Sequence, residues 1–451
     1  MTAQSVQQPD HEARSPWSRH NDCQEAVLSP ASNPVHAKLT VPGSKSLTNR
    51  ALIIAALASG TSELAGILKS DDSYWCIDSL RRLGISITMD GERAIVEGGG
   101  GVWPIRHGEL YAGAAGTVAR FLPGALAAAS GHWTLRGSKR MSERPIAPLV
   151  GALTSLGADI RYAENGHRLP VSVEGKGLRG GTIDMPGDQS SQFISGLLIA
   201  APYAKEPVTV HINGPIVQHD YVEMTLATMS QFGADAQMGI DKQTIYVHPR
   251  RYEARSFALE PDVSTCGYFW ALAALTNGYI RVEGLPANTR QPDMLLLKAL
   301  EQMGCTTAVE NNAVEVRGTG QLTGGFTVSM KEWSDQTLTM AALAVFADGP
   351  ITLTDAAHIR HHECDRIEAI CSELAKLGIR TDEHPDGLTV YPGEPLPALL
   401  DPHDDHRMAM ALSLIGAKIP GVRIADPGCV SKTCPDYWER LDALGIGVQL
   451  R

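Results

Sequence analysis

Six times along the chain, an amphipathic stretch with helical spacing closes on a bulky apolar residue and a glycine, and a short strand-like segment follows. The junctions are Leu83-Gly84, Leu156-Gly157, Phe232-Gly233, Met303-Gly304, Leu377-Gly378 and Leu444-Gly445. They recur roughly every 70 residues, a longer period than that of common solenoids. Glycine just after the last apolar turn fits a helix C-terminus, where left-handed backbone is cheapest without a side chain. Residues that follow, such as Ala158-Asp159-Ile160 and Ile446-Gly447-Val448, alternate or enrich apolar groups as short strands do. Six α/β units in a chain of 451 residues predict two domains of three units each.

The pattern places the domain crossings less sharply. Candidates are the Pro42-Gly43 turn and the stretch at Glu260-Pro261-Asp262. Two crossings there make one domain continuous, residues 45–260, and assemble the other from 34–44 plus 261–451. Residues 1–33 are polar, contain several Pro and Ser and show no clear period, so a poorly ordered N-terminal extension is expected.

Composition narrows the functional classes. Hydrophobic residues at 43% and charged residues at 20% are ordinary for a soluble globular protein. The formal net charge of −11 argues against a general nucleic-acid or membrane-surface role, but leaves room for a locally positive cleft. The eight cysteines contain no C-x-x-C pair and read as reduced thiols. No apolar run approaches the ~18 residues that span a bilayer, and the N-terminus lacks a signal peptide's basic-then-apolar order. A cytoplasmic protein is expected.

Candidate chemistry concentrates in a few dense segments. Val41-Pro42-Gly43-Ser44-Lys45-Ser46-Leu47-Thr48-Asn49-Arg50 reads as a strand ending at Pro-Gly and a helix beginning near Ser46. Lys45, Ser46 and Arg50 then surround a helix N-terminus, whose unpaired N–H groups favour an anion. The spacing is not that of a Walker loop. Ala112-Gly113-Ala114-Ala115-Gly116-Thr117-Val118-Ala119-Arg120 offers a second helix start with small residues that let a ligand approach. Lys139-Arg140-Met141-Ser142-Glu143-Arg144-Pro145 places cations before a proline expected to open a helix. Ser190-Ser191-Gln192 supplies hydroxyls and an amide at another helix start.

The later half adds Asp335, the run His358 to Arg366, the run Asp404-Asp405-His406-Arg407 and Ser431-Lys432-Thr433. Carboxylates and histidines can move protons, while Arg366, Arg407 and Lys432 can hold a second anion. A metal site from His361, His362, Glu363, His403 and His406 is disfavoured, because no H-E-x-x-H pairing exists. Two anion-binding sets with acid/base groups among them suit a reaction that joins two anionic small molecules.

In order, the segments PGSKSLTNR, AGT with Arg120, RMSERPI, SSQF, ECDR, DHRMAM and SKTCPDY resemble the enolpyruvyl transferase family, from about residue 36 to the C-terminus. That resemblance implies a mixed α/β (α+β) fold of two domains, each with three βαβαββ repeats, and an active site between them. It implies transfer of a three-carbon unit from phosphoenolpyruvate to the 5-hydroxyl of shikimate-3-phosphate, in the shikimate pathway of aromatic amino acid biosynthesis. That reaction needs no cofactor or metal, and a monomer is expected because a site enclosed between two domains of one chain needs no partner. By the same resemblance Lys45, Ser46, Arg50, Ser190, Ser191, Gln192 and Asp335 contact shikimate-3-phosphate. Lys45, Gly116, Arg120, Arg140, Gln192, Arg366, Arg407 and Lys432 contact phosphoenolpyruvate. Asp335 takes the proton from the attacking hydroxyl, and Glu363, with Lys45 as partner, protonates the methylene carbon.

The sequence departs from the family pattern at several points. Ala114 stands where many relatives have Asn, Phe121 where many have Pro, Gln218 where Ser is frequent, His362 where Lys is frequent and Cys434 where Phe is frequent. These leave an alternative: a divergent paralogue acting on another ring acid or on a UDP-amino sugar. The sugar-specific relatives carry a loop cysteine, and the matching stretch here, Gly137 to Pro145, has none.

Overall fold

The computed structural model describes residues 9–164 and 166–451. Its contacts divide the chain into two compact units. One takes Gly43–Glu260 with Glu12–Pro16, and the other takes Pro261–Arg451 with Trp17–Pro42 and residues 9–11.

Each unit contains three four-stranded sheets, and all six sheets share one plan. An edge strand pairs parallel with a second strand, which pairs antiparallel with a third, itself antiparallel to the other edge; in five of the sheets the third strand is the later arm of a hairpin and the edge its earlier arm. The sheet of His107–Tyr111, Ser130–Arg136, Val171–Lys176 and Asp159–Tyr162 shows it within one continuous stretch of chain. A helix follows the first strand and another follows the second, so each repeat reads βαβαββ.

The crossings exchange first strands between the repeats that begin each unit. His36–Leu39 pairs parallel with Tyr279–Glu283, although the helix that follows it in sequence, Lys45–Leu57, lies in the other unit. Conversely Ser256–Ala258 pairs parallel with Ser59–Ala65, and the helix after it is Val263–Leu275. The two passages are fixed by backbone: Ser44 N–H donates to the Glu260 carbonyl at 2.8 Å and Asp262 N–H to the Pro42 carbonyl at 2.9 Å.

The N-terminal segment is a correction to expectation. Residues 1–8 of the expected extension lie outside the described residues. Glu25–Ser29, however, is an interior strand, antiparallel to Arg423–Ala425 on one side and to Gly447–Leu450 on the other. Ala26 and Leu28 are buried. Five residues are too few for an alternation to stand out in a polar stretch, and the sheet they complete comes from the far end of the chain. The sixth repeat is therefore closed by the chain's own beginning.

The first helix of each repeat has no polar face. All thirteen residues of Val263–Leu275 and all eight of Thr337–Ala344 are buried, as are all eleven of His406–Gly416. Small and aliphatic side chains permit burial on every side, and these three helices pack on one another. Lys45–Leu57, Gly116–Ala127 and Ser191–Ala200 form the equivalent layer of the other unit. Each buried Leu or Ile in these layers contributes about 1.5–3 kcal/mol relative to exposure.

The second helices end as the glycine pattern predicts. Gly84, Gly157, Gly233, Gly304, Gly378 and Gly445 all have φ between +77° and +95°. After each, the next residue's N–H reaches back to the carbonyl five positions earlier, as Ile85 does to Leu80 and Ile446 to Leu441. That double closure satisfies carbonyls that the helix leaves unpaired.

Gly445→Ala isolates the backbone contribution, because a Cβ there meets nothing within 4 Å. It is expected to lower unfolding stability by ~1–2 kcal/mol. Gly43→Ala is expected to lower it by more, since its Cβ would run into the Gly66 carbonyl. Urea unfolding midpoints of the two variants test this, and equal midpoints would contradict it.

Candidate active site

In the Gly43–Glu260 unit the sequence motifs fall on the N-termini of the three first helices. Asn49 Nδ2 donates to Thr117 Oγ1 at 2.7 Å, joining the first helix to the second. Gly116 joins the second to the third: a Cβ built on it would lie 3.0 Å from Arg120 Nη1, 3.1 Å from Gln192 Oε1 and 3.3 Å from Arg144 Nη1. Helix starts present unpaired N–H groups and partial positive charge, and here two guanidinium groups stand with them. The absent side chain at Gly116 leaves the space for an anion to reach these donors.

Arg120 is held in place by donating to the Gly116 carbonyl at 3.3 Å and the Pro145 carbonyl at 3.2 Å. Ser190 caps the third helix, its Oγ accepting from Gln192 N–H at 3.3 Å. Ser191 Oγ and Gln192 Oε1 are buried without a hydrogen-bond partner among the described residues. A buried polar atom left unpaired costs about 1–3 kcal/mol, and a ligand group could satisfy both.

Arg50 is buried and fixed by neutral groups. Nε donates to Thr225 Oγ1 at 2.7 Å, Nη1 to the Ser46 carbonyl at 2.9 Å, and Nη2 to Ser195 Oγ at 3.3 Å and the Tyr221 carbonyl at 3.2 Å. Phe121 covers the guanidinium at 5.1 Å. Burial pulls its pKa down to about 10, so the site carries a buried cation without a carboxylate at its hydrogen-bond positions. Lys45 Nζ stands 3.7 Å from Asp72, a buried carboxylate at the start of the Asp71–Arg82 helix.

Arg140 occupies the short helix Lys139–Glu143 and donates to Glu143 Oε2 at 3.0 Å. The guanidinium that this motif brings beside Gly116, next to that of Arg120, belongs to Arg144, which is buried. Pro145 does not open a helix as expected; the next helix is Ala147–Ser155, with Pro148 in its first turn. Pro148 is better placed there because a missing N–H is harmless in a first turn.

In the Pro261–Arg451 unit, five residues singled out by sequence form one chain of alternating charge. Arg407 Nη2 donates to Asp335 Oδ2 at 2.8 Å, and Asp335 Oδ1 accepts from Arg366 Nη1 at 3.1 Å. Arg366 Nη2 donates to Glu363 Oε2 at 3.0 Å, and Lys432 Nζ lies 3.3 Å from Glu363 Oε1. Asp405 backs the chain, accepting from Arg366 Nε at 2.7 Å and Nη2 at 3.3 Å. The last N–H of Arg366 reaches His362 Nδ1 at 3.1 Å. Arginine only donates, so His362 Nδ1 carries no proton.

Thus all five N–H groups of a guanidinium with 2% side-chain exposure have acceptors. Burial alone would lower the Arg366 pKa, but the charges of Asp405, Glu363 and Asp335 outweigh it and raise the value. Three cations face three carboxylates here. An incoming anion therefore competes with Asp335 and Glu363 for their cations and can release them for proton transfer.

Among the described residues, no group of three or more His, Cys, Asp or Glu is placed to hold a metal ion. His403 Nε2 pairs with Glu373 at 2.9 Å, and His362 is engaged by Arg366. No helix of the described residues is long and apolar enough to cross a membrane.

Comparison with known proteins adds an independent line. The family model described as EPSP synthase (3-phosphoshikimate 1-carboxyvinyltransferase) matches residues 30–441. A Halalkalibacterium halodurans protein named 3-phosphoshikimate 1-carboxyvinyltransferase 2 is 54% identical, covering 97% of this chain and 98% of that protein.

The chain belongs to the EPSP synthase family.

Other members include 3-phosphoshikimate 1-carboxyvinyltransferases of Nostoc punctiforme, 41% identical over 92% of this chain and 98% of that one, and of the Arabidopsis thaliana chloroplast, 39% identical over 93% and 84%. A solved structure of the Acinetobacter baumannii EPSP synthase has a TM-score of 0.79 at 24% identity, covering 95% of this chain and 100% of that one. That likeness concerns the fold, two sets of three βαβαββ repeats in this member.

Sequence reasoning passed over Asp72, Ser264 and Asp293, and it named Arg144 and Asp405 within candidate runs without giving either a role. Asp405 had a readable signal, since it precedes a helix and could cap it, which it does by accepting from Arg407 N–H at 2.9 Å. Its grip on Arg366 is a contact across 39 residues that no local pattern reveals.

His358 supplies a pH test of this unit. Its Nε2 meets Ser334 Oγ at 2.7 Å, and its pKa is lowered to about 4, chiefly by burial. The folded value lies below the unfolded one, so the unfolded chain binds the extra proton first as pH falls. Stability should drop between about pH 6.5 and 4 by at most ~1.4 kcal/mol per pH unit from this group. Unfolding free energies of wild type and His358→Gln across that range should diverge accordingly, and parallel curves would contradict the buried neutral imidazole.

Proposed function

We propose that this chain transfers the enolpyruvyl group of phosphoenolpyruvate to the 5-hydroxyl of shikimate-3-phosphate and releases phosphate, as the names of its relatives describe. The observation that carries the reading is the run Arg407–Asp335–Arg366–Glu363–Lys432, in which cations and carboxylates alternate and no side chain is more than 14% exposed.

The chemistry needs that alternation. Adding a proton to C3 of phosphoenolpyruvate leaves positive charge at C2, which the 5-hydroxyl oxygen attacks. The tetrahedral adduct then loses phosphate while C3 returns a proton, and the proton taken from the hydroxyl leaves on the departing phosphate, so protons balance. Glu363 delivers and recovers the C3 proton, and Asp335 takes the hydroxyl proton. Arg366, Arg407 and Lys432 hold the carboxylate and phosphate of phosphoenolpyruvate. Their fixed charges stabilise the adduct without solvent rearrangement. Gly116, Arg120 and Arg140 contribute to binding the same substrate. Lys45, Ser46, Arg50, Ser190, Ser191 and Gln192 hold shikimate-3-phosphate, with Lys45 and Gln192 reaching both ligands.

Phosphate release from phosphoenolpyruvate, with shikimate-3-phosphate supplied or withheld, tests the reading. Release only with both present is expected; no release with both would overturn it. Asp335→Ala should lower turnover by roughly 10²–10⁴-fold with substrate binding largely kept, whereas Lys45→Met should weaken both. Equal loss of binding and turnover in Asp335→Ala would make that residue structural.

A further inference from the structure

Behind the charge chain lies a carboxyl group that the mechanism above does not use. Asp293 is 1% exposed and sits in the single turn Pro292–Leu295. Its Oδ2 accepts from Ser264 Oγ, and from Gln336 Nε2 at 3.3 Å, while Oδ1 has no partner among the described residues. Gln336 also donates to the Ser264 carbonyl at 3.1 Å. It is seated against Gly267, where a Cβ would come within 2.6 Å of its amide oxygen.

Ser264 Oγ also accepts from Arg407 Nη2 at 3.3 Å. Because Arg407 can only donate, the single Ser264 proton must go elsewhere, and Asp293 is its acceptor. The same Arg407 nitrogen donates to Asp335 Oδ2. A continuous relay therefore runs from Asp293 through Ser264 to the cation that holds Asp335.

We propose that Asp293 is a positioning residue, which through Ser264 fixes the guanidinium of Arg407 toward phosphoenolpyruvate and sets how much negative charge stands behind it. This inference rests on the functional reading given above. The charged and titratable groups that face Asp293 are Asp335, Arg407 and the Cys266 thiol. Burial first, and the charge of Asp335 second, push its pKa up to about 7. Above that pH an ionised Asp293 adds a like charge that opposes an incoming anion. Below it the carboxyl still accepts from Ser264 but is neutral.

The test measures kcat and both KM values from pH 6 to 8 for Asp293→Ala, Asp293→Asn and Ser264→Ala. Asp293→Ala and Ser264→Ala should raise KM for phosphoenolpyruvate roughly tenfold, as expected for one lost hydrogen bond to a charged group. KM for shikimate-3-phosphate should stay within about threefold. Asp293→Asn keeps an acceptor for Ser264, so it should restore the phosphoenolpyruvate KM and abolish its rise with pH. An unchanged KM in both truncations, or an Asn variant as impaired as the Ala variant at every pH, would overturn the proposal. Ser264→Ala carries the test if Asp293→Ala does not fold. Wild type without turnover would instead defeat the functional reading. The ¹³C titration of the Asp293 carboxyl needs no turnover: a midpoint near neutral supports the inference, and one below pH 5 overturns it.

Discussion

A guanidinium with almost no water around it must have every N–H satisfied and its charge balanced by the protein itself. Arg366 meets that demand with Asp405, Asp335, Glu363 and His362, and the geometry of its surroundings follows. Removing one carboxylate from such a buried set typically costs about 3–5 kcal/mol, because the remaining charge is left uncompensated. The arrangement is not needed for stability alone, since apolar packing of equal volume would often serve as well. Under the function proposed above, its use is to hold two proton-handling carboxylates against cations until a substrate anion displaces them.

The repeat explains how these groups come together. In each unit the N-termini of three buried helices meet. Ser264, Asp335 and Arg407 lie at three such starts and are bonded to one another. Lys45, Gly116 and Gln192 lie at the other three. A single βαβαββ design, repeated, thus supplies six positively polarised helix ends that carry different side chains. The second helices do the complementary work of closing each repeat with a positive-φ glycine.

Most of this was legible in the sequence because it is local. The glycine junctions fall where helices must end, and PGSKSLTNR, AGT and SSQ fall where helices must begin. What escaped was set by contacts distant in sequence. Glu25–Ser29 reads as polar tail until Arg423–Ala425 and Gly447–Leu450 are placed beside it. Arg140 and Arg144 are indistinguishable as cations in one motif. The short helix Lys139–Glu143 turns the first toward Glu143 and leaves the second beside Gly116. Asp293 lies in no motif at all, and it is Ser264 that connects it to the charge chain.

The central claim is that Glu363 and Asp335 occupy cations which the substrate must take over. Titrating phosphoenolpyruvate against wild type and Glu363→Gln, by calorimetry, addresses it most directly. If Glu363 competes with the substrate for Arg366 and Lys432, the neutral variant binds phosphoenolpyruvate more tightly than wild type, although it no longer turns over. Weaker binding by Glu363→Gln would mean that the carboxylate organises those cations for the ligand, and the displacement account would be wrong.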